Sequence, residues 1–271
     1  RAYCRNDKNY YSTQDVLFVT RNLQTGDLIS SKSLEMGAES FPVFHEHYLF
    51  YHLKNYTILA IDIDTNEEVW RYNYPVTGFA TLNKASAPIV WNGQIIAGLA
   101  NGNLVSLSLS DGKVLWSTNI DKGRRFVDID ADLVVSGDIL WVGMENDNVA
   151  LVSLKSGQIL QRLPYRAVAI YFDNTHYFIG TKEGEIVALN DKYELLAKNK
   201  VSKKSISQIL KWKNNIVAIS DEGVLRALSQ DTLTVLDSFS LGTKASNVYS
   251  TVFSDSDLTV YSSRYRLYNF K

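Results

Sequence analysis

Apolar and polar residues alternate along this chain in short bursts, as in "LVSLSLS" (104–110) and "NVALVSL" (148–154). A period of two puts successive side chains on opposite faces, the pattern of a half-buried strand. The bursts are rich in Val, Ile, Leu, Tyr and Phe and are separated by tight-turn pairs: Asn92-Gly93, Asn101-Gly102, Asp111-Gly112, Ser156-Gly157 and Glu222-Gly223. Glycine supplies the positive φ such turns need, and Asn or Asp tolerates it. No segment carries a convincing helical period, so the pattern predicts an all-β chain.

The bursts repeat in a fixed order. "SAPIVWNGQIIAGLANGNLVSLSLSDGKVLWSTNI" (86–120) and "ADLVVSGDILWVGMENDNVALVSLKSGQILQRLPY" (131–165) both read apolar run, turn, apolar run, turn, alternating run, turn, apolar run. The same order returns at 41–72, 167–201 and 207–241. The last turn of each unit falls at Gly26, Asn66, Gly112, Gly157, Tyr193 and Leu233, at intervals of 36–46 residues. Four strands in about 40–45 residues is one propeller blade. Residues 15–34 read as the last two strands of a unit and 247–271 as its first two or three, so a composite blade from both termini is expected to close the ring. That reading gives a single β-propeller domain over 1–271 with six blades, seven being the alternative.

Composition narrows the function classes. Of 271 residues 45% are hydrophobic, ample for a core. The 28 basic and 29 acidic side chains nearly balance, which argues against a general nucleic-acid binder. Cys4 is the sole cysteine, so there is no disulfide framework. No apolar run reaches the roughly 18–20 residues that span a bilayer. The chain starts at Arg1 and is read as a mature or trimmed segment.

Four stretches carry candidate chemistry. In "RRFVDIDADLVV" (124–135), an extended backbone puts Arg124, Phe126, Asp128, Asp130 and Asp132 on one side and Arg125, Val127, Ile129 and Ala131 on the other. Clustered carboxylates want a cation, which a solvated linker's own arginines, a metal or a protein partner could supply. No calcium-loop spacing follows, because Leu133 and Val134 lead into a strand. His45 and His47 form an H-x-H pair with His52 further on, but two ligands do not make a metal site, and a solvent-side or inter-blade place is the plainer reading. The basic runs 121–125 and 198–204 read as solvated linkers. The aromatic tail "VYSSRYRLYNFK" (260–271) reads as a ring-closing outer strand rather than a nucleic-acid platform. No nucleophile elbow, P-loop or H-E-x-x-H motif is present, so no catalytic residue and no metal is assigned.

The third-to-fourth-strand segments "AIDIDTNEEVW" (60–70), "SLSLSDGKVLW" (106–116) and "ALVSLKSGQIL" (150–160) resemble the A-x-D-x-x-T-G-x-x-x-W repeat of quinoprotein-type (PQQ-like) propellers, with Trp70 and Trp116 placed to pack between sheets. Quinoprotein dehydrogenases carry an adjacent cysteine pair at the cofactor; one cysteine cannot form it, so the resemblance implies architecture and no cofactor. Within that class, residues 79–160 resemble the BamB family of the outer-membrane β-barrel assembly machinery, whose ring has eight blades. The resemblance implies a non-enzymatic, periplasmic, outer-membrane-associated scaffold. It would dock on the periplasmic domains of a BamA-like assembly barrel and guide nascent outer-membrane proteins. The family's basic residue and D-V-D stretch fall on Arg125 and Asp128-Ile129-Asp130, and its Leu-x-Leu-Arg loop on "ATLNKASAP", with Leu82, Asn83 and the adjacent Lys84. Mature members begin with a lipidated cysteine; here Cys4 stands in "RAYC", which departs from a lipobox at Arg1 and Tyr3. A ligand-sensing or general interaction propeller within a larger receptor is the alternative reading.

Overall fold

The computed structural model describes residues 3–5, 9–14, 16–38, 40, 42–75, 86–99, 102–120, 129, 131, 133–144, 147–242, 248–253, 257–262 and 266–271. They contain strands and turns and no α-helix. The chain divides into two compact units, Arg1–Leu133 with Val152–Gln161, and Val134–Leu151 with Arg162–Lys271.

The first unit holds three four-stranded antiparallel sheets: β1 (Tyr3–Arg5), β2 (Asn9–Gln14), β3 (Leu17–Asn22) and β4 (Leu28–Ser33); β5 (Val43–His45), β6 (Tyr48–His52), β7 (Thr57–Asp62) and β8 (Glu68–Asn73); and β9 (Ile89–Trp91), β10 (Gln94–Gly98), β11 (Asn103–Ser108) and β12 (Val114–Asn119). A fourth sheet comprises β13 (Val134–Ser136), β14 (Ile139–Met144), β15 (Asp147–Ser153) and β16 (Ile159–Leu163). Its turn-side residues, Val152–Gln161, group with the first unit and the rest with the second. The second unit adds β17 (Ala167–Phe172), β18 (Tyr177–Thr181), β19 (Glu185–Leu189) and β20 (Leu195–Lys200); β21 (Ile206–Trp212), β22 (Asn215–Ser220), β23 (Val224–Ser229) and β24 (Val235–Ser240); and a three-stranded sheet of β25 (Val248–Phe253), β26 (Leu258–Ser262) and β27 (Leu267–Phe270). Each sheet is a meander in chain order, the arrangement of a propeller blade.

The repeat register expected from the sequence holds residue by residue. Gly26, Asn66, Gly112, Gly157, Tyr193 and Leu233 all have positive φ, between +56° and +76°. Each lies in the turn joining a sheet's third and fourth strands, and in five of these hairpins the register slips at one point, between Thr20 and Arg21, Ala60 and Ile61, Ser106 and Leu107, Ala188 and Leu189, or Ala227 and Leu228. The motif's Asp works inside this turn: Asp62 Oδ1 accepts the Asp64 and Thr65 amides at 2.9 and 3.0 Å. Those bonds, the Thr65 amide above all, hold the Asp62 carboxyl below its ordinary range.

Count and termini differ from expectation. Seven sheets are present among the described residues, the number of the alternative reading rather than the six first expected. The N-terminal residues build a four-stranded sheet of their own and the C-terminal strands a separate one, so no sheet combines strands of both termini among the described residues. The strands missed at the N-terminus, "YCR" and "NYYSTQ", carry Asn, Ser, Thr and Gln in place of an apolar run. Pairing with β3 through six residues makes β2 a strand despite that composition.

Core residues lie between consecutive sheets. Phe50, Ile58, Ala60 and Trp70 of the second sheet pack with Ile95, Ala97, Val105 and Leu107 of the third. In the second unit Phe178, Ile186 and Ala188 pack with Ile209, Ile216, Ala218 and Leu228. The tryptophans do what their spacing suggests. The Trp70 indole N–H donates to the Leu109 carbonyl at 2.9 Å, and the Trp116 N–H to Leu154 at 3.0 Å. Each ring lies over the turn glycine of the next sheet. A Cβ on Gly112 would stand 2.6 Å from Trp70 Cε3, and one on Gly157 2.5 Å from Trp116 Cε3.

Where the motif has decayed, the volumes are exchanged. Ala197 faces Ala188 across its hairpin as Trp70 faces Ala60, so Ala197 occupies the tryptophan position. The next turn then carries Leu233 instead of glycine, fully buried in the cluster against which Ala197 packs. A second tie recurs two residues further along. Lys32 Nζ donates to the Asn66 carbonyl at 2.9 Å, Thr118 Oγ1 to Gly157 at 2.7 Å and Asn199 Nδ2 to Leu233 at 2.9 Å.

Candidate functional site

Two stretches carry the expected docking residues: the loop before β9 and the linker between β12 and β13. Leu82, Asn83, Lys84, Arg125, Asp128 and Asp130 lie outside the described residues, as do Arg124 and Asp132. Ser86, Ile129, Ala131 and Leu133 beside them are described, and Ser86 and Ile129 tie the stretches together. The Ser86 amide donates to the Ile129 carbonyl at 3.3 Å. Ile129 is the residue flanked in sequence by the two aspartates, and Ser86 follows Lys84 by two positions. The main chain thus joins both halves of the expected surface within the first unit.

Packing fixes this junction from below. Ile129 is 1% exposed, and Ala131 and Leu133 are buried as well. These are the apolar residues at alternate positions of the linker, so the inward half of its two-sided pattern is present. Beneath them lies Gly98 at the end of β10. A Cβ there would stand 2.5 Å from Ile129 Cγ2, 2.7 Å from Ile129 Cβ and 2.8 Å from Ser86 Oγ. Only a glycine lets the strand approach both segments so closely.

His52 lies against the same junction. It is fully buried at the end of β6, and neither ring nitrogen has a hydrogen-bond partner within bonding geometry among the described residues; the buried Ser86 hydroxyl is in the same position. Burial lowers the imidazole pKa to about 4, and the Ser86 main chain, which faces the ring, pulls it back only in part. His52 is therefore a neutral core side chain at neutral pH. The other two histidines of that stretch face solvent: His47 Nδ1 lies 2.9 Å from Asp64 Oδ2, and His45 Nε2 lies 3.8 Å from Glu46. Among the described residues no group of three or more His, Cys, Asp or Glu side chains could hold a metal ion.

Of the remaining candidates, the basic run 121–125 lies outside the described residues. Within the run 198–204, Lys198 pairs with Glu185 at 2.9 Å. The aromatic tail supplies parts of β26 and β27, and the Tyr268 hydroxyl donates to the Leu241 carbonyl at 2.6 Å. One cluster escaped sequence reasoning. The Asp173 carboxylate, 1% exposed, receives Lys211 Nζ at 3.2 Å, Gln230 Nε2 at 2.9 Å and the Thr175 hydroxyl at 2.6 Å. Burial alone would raise its pKa; the Thr175 and His176 donors and Lys211 outweigh it and hold the group at about 2. Lys211 and Gln230 belong to the sheet after that of Asp173, so the cluster is a structural tie between neighbouring sheets.

The family described as outer membrane protein assembly factor BamB matches residues 2–170, more than half of the chain. The chain belongs to the BamB family. BamB from Pseudomonas aeruginosa is 29% identical over 161 residues, covering 55% of this chain and 42% of that protein. BamB from Yersinia pestis is 22% identical over 231 residues, covering 82% and 58%. The chain thus spans less than two thirds of the length of these BamB relatives. The crystal structure of BamB from Moraxella catarrhalis shares the fold, with a TM-score of 0.81 at 16% identity over 97% of this chain and 81% of that one. Quinohemoprotein alcohol dehydrogenase from Comamonas testosteroni is a more distant fold relative than that BamB, with a TM-score of 0.65 at 16% identity over 75% of this chain and 43% of that one. Both fold likenesses agree with the quinoprotein-type repeat read between residues 60 and 160.

Proposed function

We propose that this chain is a non-enzymatic scaffold of outer-membrane β-barrel protein assembly, acting as one propeller domain on the periplasmic side of the outer membrane. It docks on the periplasmic domains of a BamA-like assembly barrel through the paired stretches 80–86 and 124–132. Asp128 and Asp130 accept from basic groups of the partner, Arg125 organises the two acids, Leu82 makes an apolar contact, and Asn83 and Lys84 border it. Nascent outer-membrane proteins are the clients that the docked scaffold serves, and Cys4 is the candidate for a lipid anchor.

Membership of the BamB family supports the role, and one observation supports the site: the Ser86–Ile129 bond joins the two stretches the family resemblance selects. The buried Ile129 and Ala131 anchor the linker where the docking acids flank them in sequence. The test is a pull-down from periplasm with the wild type and with Asp128→Ala/Asp130→Ala. The wild type is expected to recover the assembly barrel and the double variant to lose it. Full recovery by the double variant would remove the acidic stretch from the interface, and no recovery by either would remove the docking role.

A further inference from the structure

The seam between the first two sheets lacks the tryptophan that fills the next two seams. Thr20 pairs with Ser30 in the register in which Ala60 pairs with Trp70 and Ser106 with Trp116, so Ser30 stands at the tryptophan position of β4. Lys32, two residues on, donates to the Asn66 carbonyl as Thr118 donates to that of Gly157. That bond sets the Asn66 turn against β4 as the Gly157 turn is set against β12. Phe18, on the same face of β3 as Thr20, packs against Tyr51 of the second sheet with ring centroids 5.8 Å apart. Thr20, Ser30 and Asn66 therefore face one seam, and it lies wholly within the first unit.

Polar atoms replace the indole there. Thr20 is 2% exposed, and its hydroxyl, the Ser30 hydroxyl and the Asn66 side-chain oxygen are all buried with no hydrogen-bond partner among the described residues. In the next two seams the counterparts are apolar or paired. The Trp70 and Trp116 N–H groups donate to carbonyls, and the Ser106 hydroxyl, opposite Trp116, donates to Gln94 Oε1 at 2.6 Å. A buried hydroxyl or amide without a partner is costly, so native proteins pair such groups, with ordered water where no side chain reaches. The Ser30 and Asn66 side chains together also hold fewer heavy atoms than the tryptophan side chain that fills this place over Gly112 and Gly157.

The chemistry of the three oxygens selects the ligand. The two hydroxyls donate and accept, and the amide oxygen only accepts, a set that water satisfies because it does both. An apolar ligand would leave all three unpaired, and a cation would stand beside the Lys32 ammonium. We infer that this seam is a built water site, in which ordered water bridges Thr20 Oγ1, Ser30 Oγ and Asn66 Oδ1 in the place that tryptophan takes between the following sheets. The site is independent of docking through the acidic linker.

A high-resolution crystal structure of the whole chain is expected to show an ordered water within about 3.2 Å of at least two of the three oxygens. Thr20→Val keeps the shape and removes one partner of that water, and should lower the melting temperature by about 2 °C. An unpaired hydroxyl gives the opposite sign, because its removal relieves a desolvation cost. Ser30→Trp with Asn66→Gly rebuilds the Trp70–Gly112 arrangement and should displace the water, the indole N–H donating to the Ile63 carbonyl three residues before the turn as Trp70 donates to Leu109. The proposal is overturned if the wild type shows water at one of the oxygens or at none, or if two of the oxygens bond directly to each other instead. It is equally overturned if Thr20→Val melts at or above the wild-type temperature, or if the water persists in the double variant.

Discussion

The exchange of volume between Ala197 and Leu233 predicts a specific coupling. Replacing Leu233 with Gly removes a fully buried side chain, which costs about 2–5 kcal/mol by cavity formation. It also relieves an L-residue at φ +56°, worth about 1–2 kcal/mol. The net loss is therefore about 0–4 kcal/mol, with a midpoint of about 2 kcal/mol. Ala197→Trp alone forces an indole against Leu233 and costs about 1–3 kcal/mol by overpacking. Together the two changes rebuild the Trp70–Gly112 arrangement, with the new indole N–H donating to the Gln230 carbonyl, three residues before the turn, as Trp70 donates to Leu109 and Trp116 to Leu154. Asn199 keeps its bond to the carbonyl of residue 233, as Thr118 keeps its bond to Gly157. The double variant should thus lie within about 1 kcal/mol of wild type, a favourable coupling of about 3–5 kcal/mol at the midpoints of the two single costs. Urea denaturation followed by far-ultraviolet circular dichroism measures all four corners of the cycle. Additivity within about 0.5 kcal/mol would refute the exchange.

Other consequences are more local. Gly98→Ala pushes Ile129 and Ser86 aside, costing about 1–3 kcal/mol of overpacking, offset by about 0.5–1 kcal/mol of chain entropy, and should weaken barrel docking while circular dichroism stays native. Gly137→Ala is the control: a Cβ there meets nothing within 4 Å, so only the φ of +58° opposes it, and docking should be unchanged. His52 titrates at about 4 when folded and at its ordinary 6.5 when unfolded, so between those values the unfolded state binds the extra proton. Stability is then full above about pH 6.5 and falls by up to about 3 kcal/mol as pH drops to 4, a slope that His52→Leu should remove in melts taken from pH 7 to 4.5. Asp173 acts in a lower window: its carboxyl, held at about 2, stabilises the fold above about pH 3.8 and loses that contribution as pH falls towards 2, a loss absent from Asp173→Asn.

Turn chemistry made most of the fold legible. Six turn positions read from Gly, Asn and spacing all have positive φ, including Tyr193 and Leu233, where no glycine marks the turn. The repeat identified them because a four-strand unit forces the third hairpin to recur at one interval. What the sequence hid was pairwise. Ala197 and Leu233 look like decay in a single repeat, and their complementarity appears only when consecutive sheets are set face to face. The N-terminal strands were hidden for a different reason, since "NYYSTQ" is a strand through its neighbours rather than its composition. Of the site, Ile129 and Ala131, which the alternation puts on one side of the linker, are both buried. Nothing in the sequence links Ser86 to Ile129, because that bond depends on the glycine at position 98 of an intervening strand.

The most direct measurement of the central claim is an equilibrium titration of this chain with the purified periplasmic domains of a BamA-like barrel, for the wild type and for Asp128→Ala/Asp130→Ala. Truncating acids that pair with partner cations across a buried interface costs about 2–5 kcal/mol, a drop in affinity of about 30-fold or more. The account predicts that drop with an unchanged melting temperature. Equal affinities for the two proteins would contradict it.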